Sequence, residues 1–199
     1  MLTNNDEDVK LVKDIMEAYY DEKIRVILIK GFEDDDKLFD AIFAATRITQ
    51  NPRVKIRTSH LHDTKAAVQR VVDKYLQQGK ISFDTKNPFL FNGKEIYVDK
   101  WDDNKDVPVY GDVSIYYPVK TVIAAGGEEN LDKFKTAISK DNSRLIILLT
   151  KHDVRQNYLD FSLLDDIVDK SFVLDSSKKY PDTYSTILNN LKVDKIHYE

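Results

Sequence analysis

Residues 25–39 read Arg25-Val-Ile-Leu-Ile-Lys-Gly-Phe-Glu-Asp-Asp-Asp-Lys-Leu-Phe39. Val26 to Ile29 is an unbroken apolar run closed by Gly31, the pattern of a strand covered on both faces. An acidic turn, Glu33 to Asp36, follows. Leu38, Phe39, Ile42 and Phe43 then return at helical spacing. A buried strand that leads directly into a helix predicts an α/β chain.

The flanking sequence repeats the alternation. Upstream, Val9, Val12, Ile15, Met16 and Tyr19 share one face of a helix within residues 1–22, with Asn5 or Asp6 as its cap. Downstream, Val54 to Thr58 alternates as a strand. Val68, Val71, Val72, Tyr75 and Leu76 define a helix over 64–78, with Gly79 as its C-cap. Strands are expected at Val113–Tyr117, at Arg144–Leu149 and at Ser171–Leu174. Helices are expected over 128–140, 161–168 and from Pro181, where Tyr184, Ile187, Leu188 and Leu191 form one face. One segment breaks the order. Residues 81–98 read as short antiparallel strands turned at Asn92-Gly93, a pair suited to a tight hairpin. The expectation is a three-layer, mainly parallel sheet with helices on both faces and an inserted β-hairpin. Residues 1–199 make one domain and 81–101 the insert.

Composition narrows the chemistry. There is no cysteine, so disulfides, thiolate metal sites and cysteine nucleophiles are excluded. A net charge of −4 argues against a strongly basic nucleic-acid binder. Neither a signal-like start nor a membrane-length apolar run is present, which predicts a soluble, cytoplasmic chain with no membrane partner.

The element order resembles a P-loop NTPase of the AAA+ type, a fold of five core parallel strands with a phosphate loop after the first. In G-x-x-x-x-G-K-[ST], Gly31 matches the first glycine and Lys37 the lysine. Thr150, after the fourth core strand, falls where a polar sensor residue would sit. The remaining positions depart from the pattern. Asp36 holds the second glycine's place and Leu38 that of the Ser/Thr, while the third core strand ends in Tyr116-Tyr117-Pro118 rather than acids. A phosphate loop works by converging backbone N–H groups on anionic oxygens, with the hydroxyl on Mg²⁺. Four carboxylates at that place repel phosphate. Gly31, Lys37 and Thr150 are therefore read as vestigial phosphate-site positions, with no cofactor expected. Asp34 to Asp36 alternatively cap the helix and favour its N-terminus.

Other constellations compete. His60, His62, His152 and Asp153 follow two strands and would form a metal site if those strand ends converge; the alternative is exposed histidines with Asp63 or Thr64 as a helix cap. Asp84-Thr-Lys86 has the spacing of a metal-dependent nuclease, or is an exposed turn. Residues 53–80 carry seven basic side chains against two acids. Arg53, Arg57, Arg70 and Lys74 there, with Tyr97 and Trp101 on the insert, suggest a surface for a protein partner or single-stranded nucleic acid through residues 53–101. Packed into the body, the same rings would be core.

We therefore read the chain as a non-catalytic P-loop-like accessory or assembly subunit of a nucleic-acid-processing machine. The alternatives are a metal-dependent nuclease or phosphohydrolase, a divergent NTPase, and a nucleic-acid-binding module.

Overall fold

The structure, a computed structural model, describes residues 6–76, 80–102, 111–125, 127–151 and 161–193. The elements in chain order are α1 (Asp6–Tyr20), β1 (Val26–Gly31), α2 (Asp34–Ala45), β2 (Val54–Thr58), α3 (Leu61–Tyr75), β3 (Phe89–Phe91), β4 (Lys94–Lys100), β5 (Val113–Tyr116), α4 (Lys120–Ala125), α5 (Gly127–Lys140), β6 (Leu145–Leu149), a 3-10 turn at Phe161–Leu164, β7 (Lys170–Leu174) and α6 (Pro181–Val193). The strands form one sheet in the order β3-β4-β2-β5-β6-β1-β7. All neighbours run parallel except β3, which is antiparallel to β4.

Strand alternation divides the core in two. Ile27, Ile29, Val54, Ile56, Val113, Ile115, Leu145 and Ile147 point to one face, against α1, α2 and α3. Val26, Leu28, Tyr116, Ile146 and Leu148 point to the other, against Val122 of α4, Phe134 and Ile138 of α5, and Leu164. These are the three layers expected from the sequence. α2 packs between α1 and α3 over the sheet, which explains why it is buried from Asp36 to Ala45 rather than along one stripe.

The hairpin exists, and its Asn92-Gly93 turn has positive φ at both residues, 50° and 76°, as a tight primed turn requires. Its second strand is part of the main sheet. β4 lies in the main sheet beside β2, pairing Val54 with Ile96 through Thr58 with Lys100. Residues 80–88 form no strand. The phenylalanine rings of this segment are core: Phe83, Phe89 and Phe91 are buried, and Phe91 packs against Phe39 of α2 at 5.9 Å between ring centroids. A hairpin with two apolar faces buries one of them by joining the sheet.

Helix starts also differ. α3 begins three residues early with His60 as its N-cap residue, and neither Asp63 nor Thr64 serves as the cap. Thr64 instead donates to Thr58 Oγ1 at 2.8 Å. Glu33 is the N-cap residue of α2 and makes no side-chain cap bond, leaving Asp34, Asp35 and Asp36 in the first turn. Asn5 and Gly79 lie outside the described residues.

Gly31 ends β1 with φ of 130°, and a Cβ there would stand 2.6 Å from the Leu174 carbonyl oxygen on β7. Its lack of a side chain is thus required by the neighbouring strand. Gly31→Ala is expected to cost about 2–4 kcal/mol, because both the backbone angle and the close approach oppose a side chain. Gly93→Ala, where nothing lies within 4 Å, costs only the angle, about 1 kcal/mol. Urea midpoints of the two variants test the difference.

Candidate functional site

The loop between β1 and α2 lies at the C-terminal edge of the sheet, where open α/β sheets bind ligands. Gly31, Lys37 and Thr150 meet there. The Lys37 side chain is wholly buried. Its Nζ donates to the Gly31 carbonyl at 2.6 Å, to the Thr150 carbonyl at 2.8 Å and to Thr150 Oγ1 at 3.0 Å. It also ion-pairs with Asp34 at 3.1 Å. Thr150 Oγ1 is anchored in turn on the Ile29 carbonyl at 3.2 Å. Burial pulls the Lys37 pKa down, and the Asp34 charge opposes that shift. The ammonium thus spans β1 and β6 and meets four oxygens of its own chain.

The three consecutive aspartates each face a different cation. Asp34 takes Lys37. Asp35 takes Arg70 of α3 through paired bonds of 3.0 and 3.1 Å. Asp36 takes Lys74, one turn further along α3, at 2.7 Å and Lys179 at 2.6 Å, with the Tyr75 hydroxyl donating to it as well. Glu33 is left with its pKa raised by burial, with Asp36 and Asp34 adding to the rise. An acidic run that reads as a free cluster is a junction between α2, α3 and the segment before α6.

This junction also accounts for half of the proposed basic surface. Arg70 and Lys74 are engaged with Asp35 and Asp36. Arg57 is not on the surface at all, which corrects its assignment to an exposed contact face. It is 7% exposed, donates to Asp99 at 2.9 Å and stands 3.6 Å from buried Asp141. Arg53 remains exposed, 3.9 Å from Asp112. Tyr97 is 40% exposed and donates to Glu95 at 2.9 Å. Trp101 is half-buried, edge-on to Phe134 at 5.2 Å. The structure therefore does not gather these six residues into one patch.

Of the metal alternative, His60 is exposed and shares a 2.8 Å hydrogen bond with Ser59, and His62 is exposed. His152 and Asp153 lie outside the described residues. Among the described residues no three His, Asp or Glu side chains are grouped as metal ligands. Asp84 accepts from the Lys86 and Asn87 backbone N–H groups at 2.7 and 2.8 Å, closing its own turn rather than meeting Lys86 Nζ.

Several buried polar groups escaped the sequence reading. Asp8, Asp40 and Asp141 are each at most 1% exposed. Asp8 lay open to inference, because it precedes Leu11 and Val12 of the apolar face of α1 by three and four residues. Asp36 and Asp40, four apart, likewise share a face with Phe39 and Phe43. Lys179 gave no local signal, since its partners are 143 and 171 positions away.

No protein-family model and no curated protein matches the sequence. Among solved structures, the chain is similar to the large terminase from the thermophilic bacteriophage D6E. The identity is 11% and the TM-score 0.51, over 84% of this chain and 45% of that one. The chain thus spans less than half the length of that structure. At this identity the likeness supports the P-loop-like fold expected from the element order, at the level of fold alone. Among the described residues no helix is long and apolar enough to cross a membrane.

Proposed function

We propose that this chain is a non-catalytic, P-loop-like domain, a single α/β unit that acts as an accessory or assembly subunit. One observation carries the reading: the lysine at the phosphate-loop position is engaged by its own chain. Lys37 Nζ has four oxygen neighbours, Gly31, both Thr150 oxygens and Asp34. To meet a phosphate it would leave the Gly31 carbonyl and the buried Thr150 carbonyl without that donor, and the incoming anion would face Glu33, Asp34 and Asp35. Leu38, in place of the hydroxyl that would hold Mg²⁺, is buried in the core. A fold kept without its nucleotide chemistry suits a role carried by surfaces. We assign it to nucleic-acid processing on the fold likeness to a phage large terminase, with a protein as its partner.

Millimolar ATP with Mg²⁺ is expected to leave the melting temperature unchanged, because a ligand that binds only the native state must raise it. A saturable rise, carried equally by ADP, would return the chain to the nucleotide-binding class.

A further inference from the structure

The turn between β3 and β4 carries a covalent chemistry of its own. The carboxamide carbon of an asparagine is open to attack by the backbone nitrogen of the next residue. That attack needs an accessible side chain, a nitrogen without a partner and little bulk on the following residue. Asn92 and Gly93 meet all three conditions. Both are exposed. A Cβ placed on Gly93 would meet nothing within 4 Å, so the turn stands in open space. Among the described residues neither the Asn92 carboxamide nor the Gly93 N–H has a hydrogen-bond partner.

The other described asparagines lack one condition or another. Asn51 and Asn87 precede prolines, which have no N–H. Asn130 and Asn189 lie within α5 and α6, where the following N–H enters the helical ladder. Asn142 is exposed like Asn92. Its neighbour Ser143, however, is buried and donates its N–H to Asp141 Oδ1 at 2.9 Å.

We propose that Asn92-Gly93 is a modification site, at which the folded chain converts through a cyclic imide to aspartate and isoaspartate. The Gly93 nitrogen bonds to Asn92 Cγ, the Cγ–Nδ2 bond breaks, and the amide proton leaves with Nδ2 as ammonia. Water then opens the imide at one of its two carbonyls. Opening at Cγ gives aspartate. Opening at the backbone carbonyl gives isoaspartate, whose main chain runs through Cβ and Cγ and is one atom longer. Both products add a negative charge to the turn. A two-residue turn fixes the register of its strands. β3 has only three residues, so the added backbone atom disturbs the Phe91–Lys94 pair that closes the hairpin.

The full-length protein, held at mildly alkaline pH and digested with trypsin, tests the site. Peptide 87–94 is expected to gain the mass of an NH₂-to-OH exchange in two chromatographic forms. It does so at least about tenfold faster than peptide 141–144, which carries Asn142. Gly93→Ala is expected to slow the conversion at least about tenfold, because a Cβ crowds the attacking nitrogen. Equal rates for the two peptides would overturn the assignment to this turn. A single product form, or an unchanged rate in Gly93→Ala, would overturn the imide. The structural consequence is read by melting. Aged protein separated by anion exchange and carrying isoaspartate melts below Asn92→Asp protein, which has the same added charge and no added backbone atom. Equal melting temperatures would show that β3 tolerates the longer turn, against the proposal.

Discussion

Asp40→Asn is expected to raise the melting temperature at pH 8 by roughly 4–8 °C, the equivalent of about 2 kcal/mol for a chain of this length. Asp40 is buried in α2 beside Asp8 and Asp36, and its Oδ2 has no hydrogen-bond partner. Burial pushes its pKa up to about 9, the charges of Asp8 and Asp36 push the same way, and Lys179 opposes them. At neutral pH Asp40 therefore carries a proton. With Asp40 neutral, the ammonium groups of Lys74 and Lys179 balance the two remaining carboxylates. The unfolded chain ionises the same group near 4, so folding at pH 8 must take up a proton. This contribution to stability is fully present below about pH 4 and is lost as pH rises through about 9. Asparagine has the shape of the protonated acid and takes up no proton, so the variant and the wild type converge near pH 4 and separate with rising pH. Thermal melts at half-unit pH steps measure the gap. A variant that melts below the wild type at pH 8 would mean that Asp40 is ionised and stabilising.

The second large effect is expected at Lys37. Lys37→Met should cost about 3–5 kcal/mol, since it strips a buried donor from the Gly31 and Thr150 carbonyls and leaves Asp34 without its buried cation. Adding Asp34→Asn should recover about 1–2 kcal/mol of that loss, because the two side chains are directly coupled. A lysine held ready for a bound phosphate behaves differently: its removal barely touches the stability of the ligand-free protein. Urea denaturation of both single variants and the double variant distinguishes the cases. A Met variant within about 0.5 kcal/mol of the wild type would remove the observation on which the non-catalytic reading stands.

The two periodicities made most of the layered fold legible. Val26–Ile29 and Leu145–Leu149 are uninterrupted apolar runs, and they lie side by side inside the sheet, each with a strand on both sides. α1, α2, α3, α5 and α6 announced themselves by apolar spacing, whereas the short α4 did not, and the helix expected over 161–168 is a 3-10 turn at Phe161–Leu164. β4 did not, because alternation in Glu95-Ile-Tyr-Val98 specifies a strand but says nothing of which strand it joins. Its parallel partner, β2, is some 40 residues back and is reached through α3. The meeting of Gly31, Lys37 and Thr150 was legible only through the resemblance to a family pattern. What the pattern could not supply was the direction of the Lys37 ammonium, turned onto two strand ends of its own chain. The sharing of Asp34, Asp35 and Asp36 among Lys37, Arg70 and Lys74 was equally closed to inference. It depends on how α2 and α3 lie against each other, which no local window encodes. Arg57 shows the reverse error: a strand residue in a basic stretch looks solvated until Asp99 and Asp141 are brought to it.

The order of the strands also governs how the chain is made. β1 is synthesised first among the strands, yet its two neighbours, β6 and β7, are the last. A nascent chain halted before residue 145 has Val26 to Ile29 exposed along both strand edges, with no native partner available to pair them. Meanwhile β2, β4 and β5 are already complete and can associate beside the exit tunnel. The β6-β1-β7 side of the sheet can therefore close only after some 170 residues have emerged, and the pairing of the first strand waits on the last two.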